Sequence, residues 1–391
     1  MKLAYKVSRE VNKITKKQPT MILNIIKKDL KIYLSDKKGI LLTFLLPIIL
    51  ITLFAFAFGG VGRKKSAPRP SILLVVDKDS SKISQDFITE LNGLSSLRMV
   101  AKEEAEAVDL VQKGKNTAVL IFYKGFSEAV AANNPLPLEL KYDAASEIQT
   151  QMLLAVVRGR LARNFGNVKL LNNVNVKMTS VIKPTDTRAH PGLVQAVGGT
   201  AIMMLLFSIA AIGGSLLDEK EAGTLKRLLF SPVKPIDILL GKMGVAMVIS
   251  VLQLTAMFLF AWVAFGLPIF MDVLSLLLLI VAISFAVSSF GVLLVSTVKT
   301  RQQLNGMSTI IIILMSAIGG SMIPINMMPG FLQDIAVVSV NYWGIQGFFD
   351  IFWRQLPLLE ILPKMGILLG IGLGMVLVSI RLFKKNIVAL E

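Results

Sequence analysis

Six stretches of the chain run twenty or more residues with almost no charge, and the polar residues collect between them. A bilayer core about 30 Å thick is crossed by about 20 apolar residues of helix. Residues 39–62, 191–217, 243–271, 273–298 and 302–333 carry no charged side chain, and residues 361–383 are interrupted by Lys364 near one end. The fifth helix is expected to stop near Ile323, because Pro324 and Pro329 follow it. Lys364 is expected to snorkel to the interface on its long stem. The pattern predicts a polytopic α-helical membrane protein with about six transmembrane helices. The uncharged run 335–349 is too short to cross twice and reads as a re-entrant or interfacial helix pair.

Between the first and second spans the pattern changes. Residues 71–76, 97–101, 117–123 and 136–142 read as short strands, and 82–94, 103–113 and 147–173 as helices. Strands alternating with helices predict a small α/β domain inserted after the first span. Such a domain is expected to fold on its own.

Composition agrees. The chain is 54% hydrophobic and only 17% charged, against about 25% charged in a typical soluble domain. Its net charge of +17 could serve nucleic acid or an anionic membrane surface. Residues 1–38 hold eleven Lys/Arg against Glu10, Asp29 and Asp36, directly before an apolar span. That arrangement sets topology and argues against a nucleic-acid arm. With the N-terminus inside, the inner short segments hold 21 Lys/Arg and the outer ones only Arg354. Both termini are therefore expected in the cytoplasm. The first apolar run lies deep in the sequence and lacks a convincing cleavage site, so it reads as an uncleaved signal anchor. Within residues 20–36, Ile22, Ile25, Ile26, Leu30 and Tyr33 share a helical face, with Lys27, Lys28 and Lys31 around the other. A basic amphipathic helix before a span is expected to lie in the cytoplasmic interface.

Candidate chemistry is sparse. There is no cysteine, which excludes disulfides, thiol catalysis and cysteine-ligated metals, and His190 is the only histidine. The string over residues 59–66 lacks the Gly-Lys-Ser/Thr order of a phosphate-binding loop. Glu103 and Glu104 read as a solvated helix face. No mid-span acid or base is expected, which argues against an ion-coupled transporter and leaves the energy source to an external motor. Gly366, Gly370 and Gly374 share a face and predict tight packing within the subunit.

The most informative segment is the inner loop 216–244. Asp218, Glu219 and Glu221 precede Lys226 and Arg227, which complements a helix dipole. Leu225, Leu228 and Leu229 form an apolar face, and Ser231-Pro232 ends the helix. Exposed leucines beside a charged end suit docking into a groove on a partner.

The string Glu219-Lys220-Glu221-Ala222-Gly223-Thr224-Leu225, with Leu228, Ser231-Pro232 and Leu240-Gly241-Lys242, resembles the cytoplasmic loop of type-2 ATP-binding-cassette (ABC) exporter permeases. Lys28-Asp29-Leu30, Asp36-Lys37-Lys38 and Pro47 resemble that family's interfacial helix and first span. Gly319-Gly320, Pro324, Met328-Pro329 and Asn341-Tyr342-Trp343 resemble its re-entrant region, although the family typically has proline where Asn341 stands. The resemblance covers about residues 20–385.

The resemblance implies an ABC permease that dimerises with a second copy or a homologous permease and pairs with cytoplasmic ABC ATPase subunits. Cofactors are then absent from this chain, with ATP and Mg on the partner ATPase. It places Glu219, Glu221, Gly223, Thr224, Leu225 and Leu228 at the ATPase contact, and Ile22, Ile26, Lys28 and Leu30 in the interfacial helix. The implied organisation is a tail and interfacial helix over 1–38 and a first span over 39–62. An extracytoplasmic α/β domain follows over 63–190. Five further spans over 191–391 include a coupling loop at 216–242 and a re-entrant segment at 324–360. The expected function is export of a hydrophobic or amphipathic substrate across the inner membrane of a prokaryote, without catalysis by the chain itself. The alternatives are a membrane-anchored receptor or envelope scaffold with a ligand-binding outer domain, and an ATP-independent channel. Six spans and a coupling-like loop disfavour the first, and the lack of a polar pore stripe disfavours the second.

Overall fold

The computed structural model describes residues 22–58, 71–94, 97–132, 134–165, 176–181, 189–230, 233–328, 330–383 and 385. The segment 59–66 and the Ser231-Pro232 stop lie outside the described residues.

Helix α1 covers residues 22–35 and α2 Lys37–Phe58. The inserted unit follows as β1 (Ser71–Asp77), α3 (Lys82–Asn92), β2 (Leu97–Ala101), α4 (Glu104–Gln112), β3 (Ala118–Phe122), α5 (Phe126–Ala131), β4 (Leu138–Tyr142), α6 (Glu147–Phe165) and β5 (Lys177–Ser180). The strands form one sheet in the order β2-β1-β3-β4-β5, in which only the β3–β4 pair is antiparallel. Alternate side chains serve the two faces. Leu73, Val75, Leu120 and Phe122 pack under α3, α5 and α6, while Leu74, Val76, Val119 and Ile121 pack under α4. All five residues of β3 are buried, which places it at the centre. The four expected strands are present. The fifth, Lys177–Ser180, holds a single apolar residue, and the helix Phe126–Ala131 is too short to show a helical period in the sequence. Glu104 is not simply solvated, because it accepts ion pairs from Lys78 and Lys141 at 2.5 and 2.8 Å.

The helical bundle comprises α7 (Pro191–Gly213), α8 (Ser215–Glu221), α9 (Thr224–Leu229), α10 (Pro235–Phe265), α11 (Val273–Thr297), α12 (Arg301–Ile318), α13 (Gly330–Ala336), α14 (Val340–Phe349) and α15 (Leu358–Phe383). Its helices have well-marked starts. Pro191 and Pro235 occupy first-turn positions of α7 and α10 that need no amide donor, and Asp272, Thr300 and Ser339 cap α11, α12 and α14. Among the described residues, four helical segments are long and apolar enough to cross a membrane: Pro191–Glu221, Pro235–Phe265, Val273–Thr297 and Leu358–Phe383. A fifth is possible if Gly330–Ala336 and Val340–Arg354, bent by 93°, count as one. The bend splits the uncharged run 335–349 into two helices. The first and fifth apolar stretches are also helical, as α2 and α12, but the fifth stops at Ile318, five residues before the expected end.

α11 is the most enclosed span. It meets α7 where Gly291 faces Ile209 and Gly213 faces Val295, and it meets α15 where Gly372 faces Phe285. Small residues at these crossings permit close approach. The row Gly366, Gly370 and Gly374 was the wrong stripe: no atom lies within 4 Å of the position a Cβ would take on any of them, so they face outward. Inward packing of α15 instead falls to Ile361, Met365, Leu368 and Gly372. Asn341, fully buried, donates to Ser321 and Ser316 and so ties α14 to the end of α12.

The sheet unit is joined to the bundle by buried charge. Asp143, which follows β4, accepts from Trp353 Nε1 at 2.6 Å and faces Arg354 Nε at 3.6 Å. Arg354 also binds Asp350 at 2.8 Å, and Lys364 binds the same fully buried carboxylate. Lys364 therefore does not snorkel to a surface. These ionisable residues lie at the sheet-unit end of the bundle, each with its counter-ion at hand.

Candidate functional site

The loop between α7 and α10 lies at the end of the bundle opposite the sheet unit. It is two short helices rather than one. α8 ends at Glu221, Gly223 takes φ 70° and ψ 3°, and α9 starts at Thr224. The left-handed backbone at Gly223 is open to glycine without penalty. No atom lies within 4 Å of a Cβ built there, so its role is the bend and not close approach within the chain.

The leucines are not exposed. Leu225 is fully buried, and Leu228 and Leu229 pack partly against the bundle core. They hold α9 down. What points outward is Glu221, Gly223, Thr224, Lys226, Arg227 and above all Phe230, which is 82% exposed. Phe230 escaped the sequence reading because it falls at the last turn of α9, off the leucine stripe.

Behind this surface sits a cluster of four charges. Lys242 of α10, 6% exposed, places Nζ at 2.8 Å from Asp29 Oδ2, 3.1 Å from Glu219 Oε1 and 3.2 Å from Ser215 Oγ. Lys28 binds the same two carboxylates, Glu219 at 2.8 Å and Asp29 at 3.0 Å. Burial pulls the Lys28 ammonium down, but its hydrogen bonds to Glu219 and Asp29 outweigh burial and leave it above the ordinary lysine value. The cluster is neutral as a whole, and each charge faces an opposite one.

This geometry revises two expectations. Lys28, expected on the polar face, is ion-paired to Asp29 and Glu219, and the Glu219 carboxylate is turned to Lys28 and Lys242. Of the expected interfacial residues, Ile22, Ile26 and Leu30 share one side of α1 and are half-buried. Ile25 and Ile26 press onto Gly241 and Gly244 of α10, where a Cβ would collide with them. Asp29 lies on this apolar face, three residues after Ile26, and Lys242 directly precedes an uncharged run. An acid on an apolar stripe was the available signal for the pair, and only the fold supplies its partner.

A second tether comes from the turn before α12. The Arg301 backbone N–H donates to Glu221 Oε1 at 3.2 Å, and its side chain donates to the Ala211 carbonyl at 3.0 Å. Sequence reasoning passed over Arg301 as a topology-setting charge. Among the described residues no group of three or more His, Cys, Asp or Glu could hold a metal ion. His190 is spent as the cap of α7, its Nδ1 accepting from Gly192 N–H at 3.1 Å.

The chain is a helical membrane bundle with a small α/β sheet and a charge-anchored two-helix loop. Residues 37–381 match the family described as ABC-2 family transporter protein, and the chain belongs to that family. It is similar to the inner membrane transport permease YhhJ of Escherichia coli (strain K12), with 23% identity over 378 residues, covering 94% of this chain and 97% of that one. It is also similar to the linearmycin resistance permease protein LnrN of Bacillus subtilis (strain 168), at 21% identity with 89% and 95% covered. The probable multidrug ABC transporter permease YbhR of Escherichia coli (strain K12) matches at 22% identity with 88% and 95% covered. The chain is thus an ABC transporter permease, a class of subunit that is not itself catalytic. Family membership implies partnership with an ATPase subunit, to which ATP and Mg belong.

Proposed function

We propose that the chain is the membrane-spanning half of an ATP-driven exporter and that α8–α9 is where its ATPase docks. The observation that carries this reading is the outward face Glu221–Phe230. It offers one large exposed aromatic, two cations and an exposed glycine bend, on a loop held from behind by Lys242 and Arg301. A rigid loop with one apolar anchor suits transmission of force from a docked partner. Glu221, Gly223 and Thr224 line the contact, while Glu219, Leu225 and Leu228 support it from within.

In this reading α2 and α12 complete six spans, the loop and both termini are cytoplasmic, and residues 63–190 lie outside the inner membrane of a prokaryote. α1 lies in the cytoplasmic interface, with Lys27 and Lys31 toward the lipid headgroups. Dimerisation is supported by α12, which exposes Asn305 and Thr309 beside Ile310, Ile313 and Leu314. Polar groups on a span are costly against hydrocarbon and favour a second permease or a transport path. Relatives named for linearmycin resistance and probable multidrug transport support outward movement of a hydrophobic or amphipathic cargo.

The test is affinity purification of the tagged permease from its own host in mild detergent. An ATPase subunit should co-purify with the unaltered chain and be lost from Phe230→Glu at equal membrane abundance. Equal recovery with both chains would remove this loop from the contact.

A further inference from the structure

α12 is lightly held. Its buried positions are Leu304, Ser308, Ile312 and Ser316, flanked by the half-buried Met307, Ile311 and Met315, and its other side is exposed. Its C-terminal end is pinned by the Asn341 hydrogen bonds. Its N-terminal end is pinned by Arg301, and there the pinning partners all belong to the α7–α8 segment.

Arg301 spans the break between those helices. On one side its guanidinium takes the Ala211 carbonyl in the last turn of α7, one of the acceptors a helix end leaves without a helical donor. On the other it stands 3.6 Å from Asp218 of α8. Glu221, the last residue of α8, accepts from the first amide of α12, where a carboxylate also favours the helix dipole. Room for the guanidinium comes from Gly214, at the break itself: a Cβ there would occupy the place of the Arg301 side chain. The titratable groups facing Arg301 are thus Asp218 and Glu221.

We propose that Arg301 is a positioning residue that makes α12 follow the coupling segment. When α8–α9 tilts about Gly213–Gly214, the Arg301 side chain and the Glu221 cap carry the N-terminus of α12 with it. α12 can respond because a helix packed along one side only, and pinned at its two ends, can tilt without breaking contacts all round. The inference rests on the reading of α8–α9 as the ATPase contact. It adds the route by which that contact reaches the span with exposed polar residues.

The chain lacks cysteine, so a single reporter can be placed without background. Thr309→Cys puts it on the exposed face of α12. The permease is purified with its co-purifying ATPase, and the rate of reaction with a maleimide is compared with and without a non-hydrolysable ATP analogue. The reporter chain should show at least a threefold change. Adding Arg301→Ala, or Gly214→Ala, which displaces the guanidinium without removing it, should reduce the change to under 1.5-fold. Arg301→Lys, which keeps a donor near Ala211, should restore part of it. A merely structural role would shift the unfolding midpoint and leave the nucleotide response in place. If no ATPase co-purifies, the ATPase reading falls and the relay with it; if it co-purifies and the reporter chain ignores nucleotide, α12 does not follow the coupling segment and the relay is wrong. If the reporter chain responds and both Arg301→Ala and Gly214→Ala respond equally, the relay alone is wrong. If either of these two chains fails to assemble, the other decides.

Discussion

Replacing Lys242 with methionine keeps the length of the stem and removes only the ammonium. In the intact protein that ammonium lies between Asp29 and Glu219, at 2.8 and 3.1 Å, and all three groups are mostly buried. The change takes the cluster from neutral to one net negative charge, with two carboxylates left to share Lys28. Breaking a buried pair by removing one partner costs about 3–5 kcal/mol. Lys28 remains in reach of both acids at 2.8 and 3.0 Å, though it is 41% exposed and screened by solvent, so the low end, about 3 kcal/mol, is expected here. The double variant Asp29→Leu/Lys242→Met removes both buried charges and leaves the Lys28–Glu219 pair whole, so it should recover much of the loss. The assay is the apparent thermal midpoint of the detergent-solubilised protein, read for both single variants and the double. Lys242→Met should lower the midpoint by several degrees and the double by less. A single variant as stable as the parent, or a double whose loss equals the sum of the two singles, would show that the cluster does not anchor α1 and the loop to α10.

At the other end of the bundle, Asp143→Ala should free the sheet unit, because it strands Trp353 Nε1 and removes one counter-ion of Arg354. Limited proteolysis should then cut between sheet and bundle at least tenfold faster, and an unchanged rate would refute the junction. Gly223→Val forces a branched side chain into left-handed backbone at a cost of about 1–2 kcal/mol; it should weaken ATPase recovery while leaving the midpoint within a degree or two. Ser80→Cys should react with an impermeant thiol reagent applied outside intact cells, and Phe230→Cys should not; the reverse pattern would invert the topology. The hydrogen bond to Glu139, with burial and charge repulsion behind it, pushes the Tyr123 hydroxyl up to about 12. Its contribution to stability is full below pH 10, the unfolded value, and is lost as pH rises from there through 12. Tyr123→Phe should flatten that part of the alkaline stability profile.

Much of this architecture was legible because membrane spans and buried strands are written in runs of apolar residues. The stripe of α1, the strands β1 and β3, and the break near residue 337 all followed from such runs. The loop's position and its Gly223 were legible as well. The errors share a cause. Leu225 read as exposed, Lys28 as one of the polar-face cations and Lys364 as snorkelling because a local pattern cannot show what a distant segment brings. Lys364 meets Asp350 only once α14 and α15 are folded together, and Lys242 meets Asp29 across more than two hundred residues. The glycine row of α15 failed for a related reason. Four-residue spacing defines a face but not its neighbour, and Gly372, off that row, makes the contact.

The most direct test of the central claim is a photo-crosslinking amino acid placed at Phe230 in living cells, with Ser80 as the control position. The account predicts that irradiation joins the permease to an ATPase subunit from Phe230 and not from Ser80. No ATPase adduct from Phe230 in a cell where the permease is inserted and stable, or an adduct from Ser80 instead, would contradict it.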